Sequence, residues 1–583
     1  MTAQQLLVEP AGQGPANRRR PASRPWTQSL ADVVMGRRGV TALVVLIVAV
    51  LSLVPAIYLV IGAFSVDGAF TWSGFREAYV ENDHLGWLLA NSFEFACGAT
   101  LVSLALGSAL AFLQTRTDVP FKPLIFASSV MPLLVPPLQY ATGWMILAGP
   151  GNGVLTNLPG LGGLNVYGMG GMIVVQGLLS TPLAFLMVSS ALVGMDPSLE
   201  ESARASGASW PEVFRKVTLP LLRQAMLGAA LLMFVQMIDS FEIPAILGLR
   251  SRTYVFTSQI YFSLQQGGNP AEAGAIGLGL LVIAITALLL SRLATRRGST
   301  ATITGKAFRP RLVPLRGARW IAGAFVIVYT VIAFVLPLLA LVYTALLPYY
   351  QAPSSAAFHA MSLHNFTALK DLDGLDSSLR NSLVVAAVSA TGVSIITLIS
   401  SWLMARWMGP RLQRVMDSLL FMPIVMPGII LGLAVSYIFL RISIVPVYGT
   451  LWIFVVAFLS RYLPWGSRFS NAAVTQVSVE LEEAGLVSGA SRLDVFRRVL
   501  LPLVFSSIVA GWLYIFVLAF REVSAAILLY SPDTQVVSVL MWQMANSGDL
   551  PSLAALGVLL IAVLSIVTFL VRKLGGGVGM TSR

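Results

Sequence analysis

Residues 199–222 read LEESARASGASWPEVFRKVTLPLL, and residues 481–504 read LEEAGLVSGASRLDVFRRVLLPLV. At a constant offset of 282 the two stretches agree at fourteen of twenty-four positions without a gap. A match of that length within one chain marks a duplicated unit, and a repeat constrains the fold before any single motif does. The echo extends outwards. Asn91-Ser92 recurs as Asn381-Ser382, Arg116 as Arg406, and Pro182 as Pro464. Met131-Pro132 with Pro136 recurs as Met422-Pro423 with Pro427. Two similar halves are expected.

Composition says where those halves reside. Of 583 residues, 56% are hydrophobic and 11% charged, and the mean hydropathy is +0.80. Soluble domains carry about a quarter charged residues, and single cores stop growing near about 250–300 residues. Lipid can cover what such a core cannot. A spanning helix needs about 20 apolar residues, whereas membrane β-strands are about 10 residues long and alternate in polarity. The expected fold is therefore all-α, a polytopic membrane protein with about 12 transmembrane helices in two parallel six-helix halves. The apolar runs predict spans near 40–64, 88–113, 122–148, 168–193, 224–248, 270–293, 319–346, 378–404, 413–440, 449–474, 506–530 and 550–572. The divisions expected are a tail 1–39, a first half 40–293, a linker 294–318, a second half 319–573 and a tail 574–583.

Charge sets the orientation. Arg18, Arg19, Arg20, Arg24, Arg37 and Arg38 precede the first span, which is too long for a signal peptide and lacks an A-x-A site after it. Both termini are expected in the cytoplasm. Most Lys and Arg then fall on that side, as the positive-inside rule requires. The exceptions are Arg76, Arg250, Arg252, Lys370, Arg380 and Arg441 beside outside loops, and Arg461, Arg468 and Arg521 in or near spans. The net charge of +12 thus reflects topology rather than nucleic-acid binding. A lone Cys97 rules out an intrachain disulfide framework.

Both copies of the repeat fall in cytoplasmic loops, and local chemistry predicts two short helices joined at a bend. Asp196-Pro197 and Ser478 suit helix starts. Glu200, Glu201, Glu482 and Glu483 lie in first turns, where negative charge suits the helix dipole. Gly207 and Gly489 allow a left-handed end. Ser209 with Glu212, and Ser491 with Asp494, resemble capping boxes. Pro220 and Pro502 mark the return to the membrane.

These residues resemble the EAA signature, E-A-A-x3-G-x9-I-x-L-P, of the permease subunits of ABC importers. Glu201-Ser202-Ala203, Gly207, Val217, Leu219 and Pro220 match it once. Glu483-Ala484-Gly485, Gly489, Val499, Leu501 and Pro502 match it again. The departures are Ser202, Gly485 and two Val for Ile. The resemblance implies a type I ABC importer permease fold, with each loop a coupling helix docking on one of two copies of a cytoplasmic ABC ATPase. Glu200, Phe214, Glu482 and Phe496 belong to the same two surfaces. It implies further a periplasmic or lipid-anchored solute-binding protein, a place in the bacterial inner membrane, and ATP and magnesium on the partner ATPase. No GxxxxGK[ST] loop occurs here, so no cofactor and no catalytic residue is expected on this chain. The whole chain is similar to fused iron(III) permeases and their thiamine, phosphonate and polyamine relatives. The stretch from Met131 through Trp144-Met145-Ile146-Leu147 to Gly149-Pro150-Gly151-Asn152-Gly153 resembles the iron(III) members, so iron(III) is the expected cargo, with thiamine, phosphonate or polyamine as the alternative.

Inside the spans, Pro132, Pro136, Pro137, Pro423 and Pro427 predict broken helices at matching places, a pointer to a pathway. Asp239 and Glu242 in span five, and Arg521 and Glu522 in span eleven, are ionisable groups in apolar surroundings. At the offset of 282 Asp239 aligns with Arg521, and an Asp239–Arg521 pair across the halves is the expected gate or lock. Arg461 and Arg468, seven residues apart, share a helix face and could guide an anion or snorkel. His84, His359 and His364 lie in outside loops, too scattered for a metal site. A twelve-span secondary carrier is the rival reading, but it has no use for two EAA loops.

Overall fold

The computed structural model describes residues 37–66, 68–296, 312–442 and 446–574. Nearly all of the tails 1–39 and 574–583, and most of the linker 294–318, lie outside these residues. The described chain is helical apart from a two-stranded ribbon, Ser65–Val66 against Ala69–Phe70, and one isolated bridge.

Among the described residues nine helices are long and apolar enough to cross a membrane. They are Arg38–Ala63, Leu85–Arg116, Met169–Gly194, Trp210–Ile238, Pro270–Leu290, Ala318–Ala345, Leu375–Arg406, Arg492–Phe520 and Leu550–Thr568. The expected spans 122–148 and 413–440 are not single rods. Lys122–Leu134 meets Pro137–Ala148 at 107°, and Pro410–Val425 meets Gly428–Arg441 at 104°. Prolines at each break remove N–H donors and block the preceding residue from helical conformation. The expected span 449–474 forms the helix Trp452–Gln476, long enough but less apolar because Arg461 and Arg468 lie in it. Spans 224–248 and 506–530 also end sooner than predicted. Their helices stop at Ile238 and Phe520, so Asp239 and Arg521 cap them rather than lying mid-span.

The echoes outside the loop have structural reasons. Asn91 Nδ2 donates to the Tyr254 carbonyl at 3.1 Å, and Ser92 Oγ accepts the Phe256 N–H at 2.9 Å. Asn381 and Ser382 do the same for the Gln535 carbonyl and the Val537 N–H, at 2.9 and 2.7 Å. Each pair pins the start of a helix that the sequence reading missed, Phe256–Gln265 and Val537–Ser547. A short helix satisfies few of its own end groups, so side chains from a neighbouring helix must do so.

Within each half the longest helix packs on the helix that follows the broken pair, Met169–Gly194 or Trp452–Gln476, and small residues permit the approach. In the first half Gly177 faces Val102, and a Cβ there would lie 2.5 Å from the Val102 side chain. At the equivalent contact of the second half the sizes are exchanged: Gly392 faces Leu459, with 2.6 Å left for a Cβ. The bulge and the hollow swapped helices, so each contact still sets a glycine against one branched apolar side chain, as close packing demands. The halves also interlock. The first helix packs on Gly428–Arg441 of the second half, and the helix ending at Ala345 packs on Pro137–Ala148 of the first. Ser52 Oγ donates to the Leu419 carbonyl and Tyr140 Oη to the Ala333 carbonyl, at 2.7 and 2.8 Å.

Candidate functional site

Each elbow is two short helices, Ser198–Ala205 with Trp210–Val213, and Val479–Val487 with Arg492–Val495. Asp196 Oδ1 accepts the Ser198 N–H at 2.9 Å. Ser478, at the matching place in the second elbow, is the N-cap residue but its side chain does not cap the helix N–H groups. Gly207 and Gly489 both sit at φ 88°, in the left-handed region where a side chain is strained. Glu212 accepts the Ser209 N–H at 2.9 Å, and Ser491 Oγ accepts the Asp494 N–H at 3.1 Å. A π turn, Phe214–Thr218 or Phe496–Leu500, then leads into the long helix. Pro220 and Pro502 are the second residues of those helices, Leu219–Ile238 and Leu501–Phe520. A proline ring clashes with the carbonyl four residues back in a tight helix, and the wider turn makes room for it.

Of the paired glutamates, the first of each elbow is an anchor. Glu200 and Glu482 are each 7% exposed. Glu200 lies 3.4 Å from Arg116 Nη1 and accepts from Thr218 Oγ1 at 2.7 Å. Glu482 accepts from Arg406 Nε at 2.8 Å and Trp402 Nε1 at 3.2 Å. The guanidinium of Arg116 also holds the Leu192 carbonyl, and that of Arg406 the Val477 carbonyl. Each arginine therefore ties an elbow to the end of the longest helix of its half. The sequence reading assigned Arg116 and Arg406 no role, although their repetition at matching helix ends was the signal. Glu201, Gly207, Pro220, Glu483, Ala484, Gly489 and Pro502 are exposed, as are Phe214 and Leu219. Ala203, Phe496 and Leu501 are half-buried. Phe214 stands edge-on to Phe112, and Phe496 packs on Trp402.

A second group of candidates lines a cavity of about 220 Å³ between the halves. Pro132 and Pro423 at the two breaks line it, with Asp239, Glu242, Arg461, Arg521 and Glu522. The predicted Asp239–Arg521 pair is not formed. Asp239 Oδ2 instead lies 3.2 Å from Arg461 Nη2, and Glu522 Oε2 lies 3.0 Å from Arg461 Nε. Arg461 thus bridges one carboxylate from each half. Glu522 also accepts from Tyr462 Oη at 2.9 Å and from the Ala525 N–H at 3.2 Å. Positions related by a repeat meet only where both lie close to the axis relating the halves, and Arg521 is engaged elsewhere. Its Nη1 donates to the Leu133 and Val135 carbonyls at the break of the first half. Nor do Arg461 and Arg468 act together: Arg468 stacks on Phe421, 4.1 Å from the ring centroid, and does not line the cavity. Pro136 and Pro427 serve as N-caps of the helices that follow each break.

Gly428 permits the arrangement. A Cβ there would lie 2.2 Å from Ser524 Oγ and 2.9 Å from the Arg461 guanidinium. Its N–H donates to Asp239 Oδ1 at 2.8 Å. Among the described residues no group of three or more His, Cys, Asp or Glu could hold a metal ion. The cavity offers ion pairing between two walls, set among mainly apolar lining residues such as Leu133, Leu179, Met237 and Ile424.

The sequence family described as "Binding-protein-dependent transport system inner membrane component" matches residues 103–297 and again residues 396–575. The chain belongs to this family. It carries two copies of the unit, one per half, and is a fused two-half permease. It is 26% identical over 498 residues to the ferric transport system permease protein FbpB of Actinobacillus pleuropneumoniae, covering 83% of this chain and 70% of that protein. It is 24% identical over 489 residues to the Fe(3+)-transport system permease protein FbpB 2 of Haemophilus influenzae, covering 83% and 89%. The putrescine transport system permease protein PotI of Escherichia coli is 26% identical over 204 residues, covering 34% of this chain and 72% of PotI. The permease is thus a multi-pass transport subunit.

Proposed function

We propose that this permease is the membrane-spanning subunit of an ATP-driven importer, and that its cargo is iron(III) handed over by an extracytoplasmic binding protein. The observation that carries the reading is the pair of elbows, alike in sequence and shape. Each is anchored by a buried Glu–Arg contact and each displays an exposed glutamate and a left-handed glycine. Two equal surfaces suit two copies of one ATPase, which would bind ATP and magnesium. A rigid elbow that runs unbroken into a long helix can carry a domain movement to the cavity. The reading places the elbows and both termini in the cytoplasm of a bacterial cell, with the permease in the inner membrane.

Iron(III) is favoured over putrescine because the ferric relatives match across both halves, whereas PotI matches one. Purified permease with its ATPase, in vesicles, tests both points. Iron-loaded binding protein is expected to raise ATP hydrolysis several-fold and to drive iron uptake. Stimulation by a putrescine-loaded binding protein alone would transfer the assignment to polyamines. Uptake driven by an ion gradient without ATP would overturn the importer reading.

A further inference from the structure

Asp239 and Arg521 hold the same place in their two halves. Each ends the long helix that rises from an elbow, 282 positions apart. Neither meets the other, and each reaches the helix break of the opposite half. Asp239 Oδ1 accepts the N–H of Gly428, the first residue of the Gly428–Arg441 helix, at 2.8 Å. Arg521 Nη1 donates to the carbonyls of Leu133 and Val135, at 2.6 and 3.0 Å, where the first half breaks. The charges suit what each break leaves unpaired. A helix start exposes N–H groups that want an acceptor, and a helix end exposes carbonyls that want a donor. Asp239 is an acceptor only, and the arginine side chain a donor only.

We propose that these two contacts are crossed latches which hold the halves together at the cavity, so that opening it requires both to release. Each latch is mounted on a helix continuous with its own elbow and grips a break in the other half. A displacement of either elbow therefore pulls on the opposite wall. Asp239 is gripped a second time by Arg461, which also holds Glu522, so its latch is tied to the ion pairs of the cavity. The latches rest on the importer reading only for their consequence in uptake.

The test uses the full chain in lipid nanodiscs, with Cys97→Ser and spin labels at Ala205→Cys and Val487→Cys, one exposed site on each elbow. Pulsed electron-spin distances are expected to show one dominant separation in this parent. Asp239→Ala and Arg521→Ala are each expected to add a second, wider population, while Arg521→Lys, still a donor, keeps the parent distribution. Should an alanine variant fail to fold, Asp239→Leu and Arg521→Met keep most of the side-chain bulk, can neither accept nor donate, and read the same loss. The double exchange Asp239→Arg with Arg521→Asp is expected to widen the distribution at least as much as either single change. It sets a donor against an N–H and an acceptor against carbonyls. Parent-like distances in both single variants, or a parent-like double exchange, would overturn the latches. No nucleotide, ATPase or solute enters the measurement, so its failure leaves the importer reading standing, and the reverse.

Discussion

At the elbows the two halves repeat one another in detail: Glu200 meets Arg116 as Glu482 meets Arg406, and Gly207 turns through the same φ as Gly489. In the cavity the same offset sets Asp239-Ser240-Phe241-Glu242 against Arg521-Glu522-Val523-Ser524, and Leu179 against Arg461. Duplicated units stay alike where each must do the same task. They are free to diverge where they jointly form one thing. Under the proposed function each elbow seats a copy of the same ATPase, and that shared task would hold both to one shape. Two walls of a single cavity need only complement each other, and acid on one side with base on the other achieves that. The exchange of Gly177 and Val102 for Leu459 and Gly392 follows the same logic inside each half.

The sharpest way to break this comparison is to remove the residue that makes the walls complementary. Arg461→Met leaves Asp239 and Glu522, 19% and 9% exposed at their side chains, without their cation. Removing one partner from a buried ion pair costs about 3–5 kcal/mol, because the charge left behind is uncompensated. The variant is expected to lose that much stability in thermal or denaturant unfolding in detergent. Adding Asp239→Asn and Glu522→Gln is expected to return most of it. A single variant within 1 kcal/mol of the parent would show that the walls are not joined by charge.

Next in size are the anchors, which should fail alike if the elbows are true copies. Glu482→Ala deprives Arg406 and Trp402 of their acceptor, and about 3 kcal/mol is expected to go with it. Glu200→Ala is expected to cost somewhat less, about 2 kcal/mol, since its contact with Arg116 is longer and Arg116 keeps two backbone carbonyls. Limited proteolysis at each elbow reads the local loosening. Equal effects on the distant half would argue that the two elbows are not separate units.

Much of this could be read in advance where the cause is local. Capping residues, the left-handed glycines and the prolines of the breaks act on their own neighbours, so the elbows and the interrupted helices followed from sequence alone. The missing parts depend on neighbours distant in the chain. Arg461 finds Asp239 across 222 positions, and Arg521 finds Leu133 across 388. Aligned positions carry no instruction about who meets whom, so Asp239 and Arg521 were paired wrongly. Arg116 and Arg406 were visible only as a repeated letter, since the broken pair and a further long helix separate each from its glutamate in the chain.

Gly428 sharpens the comparison at a smaller scale, because its elbow-side counterparts have room that it lacks. Gly428→Ala would drive a methyl into Ser524 Oγ and the Arg461 guanidinium. Arg461 is held by two carboxylates and cannot swing away freely. Overpacking of this kind costs about 1–3 kcal/mol. Uptake in vesicles is expected to fall at least several-fold, while ATPase co-purification through the elbows is retained. Loss of both together would mean that the elbows and the cavity are not separable.

The smallest effect belongs to the glycines of the bends. At Gly207 and Gly489 nothing lies within 4 Å of where a Cβ would stand, so alanine meets no neighbour and pays only for its conformation at φ 88°. That penalty is about 1–2 kcal/mol. It is expected to be the same at both positions, since the angle is the same. Each single alanine variant should weaken ATPase binding by about tenfold with little change in the unfolding of the membrane-spanning part. The double variant should show the sum, because sites in different halves share no partners. If one variant abolished binding while the other left it unchanged, the two elbows would be copies in shape and unequal in use.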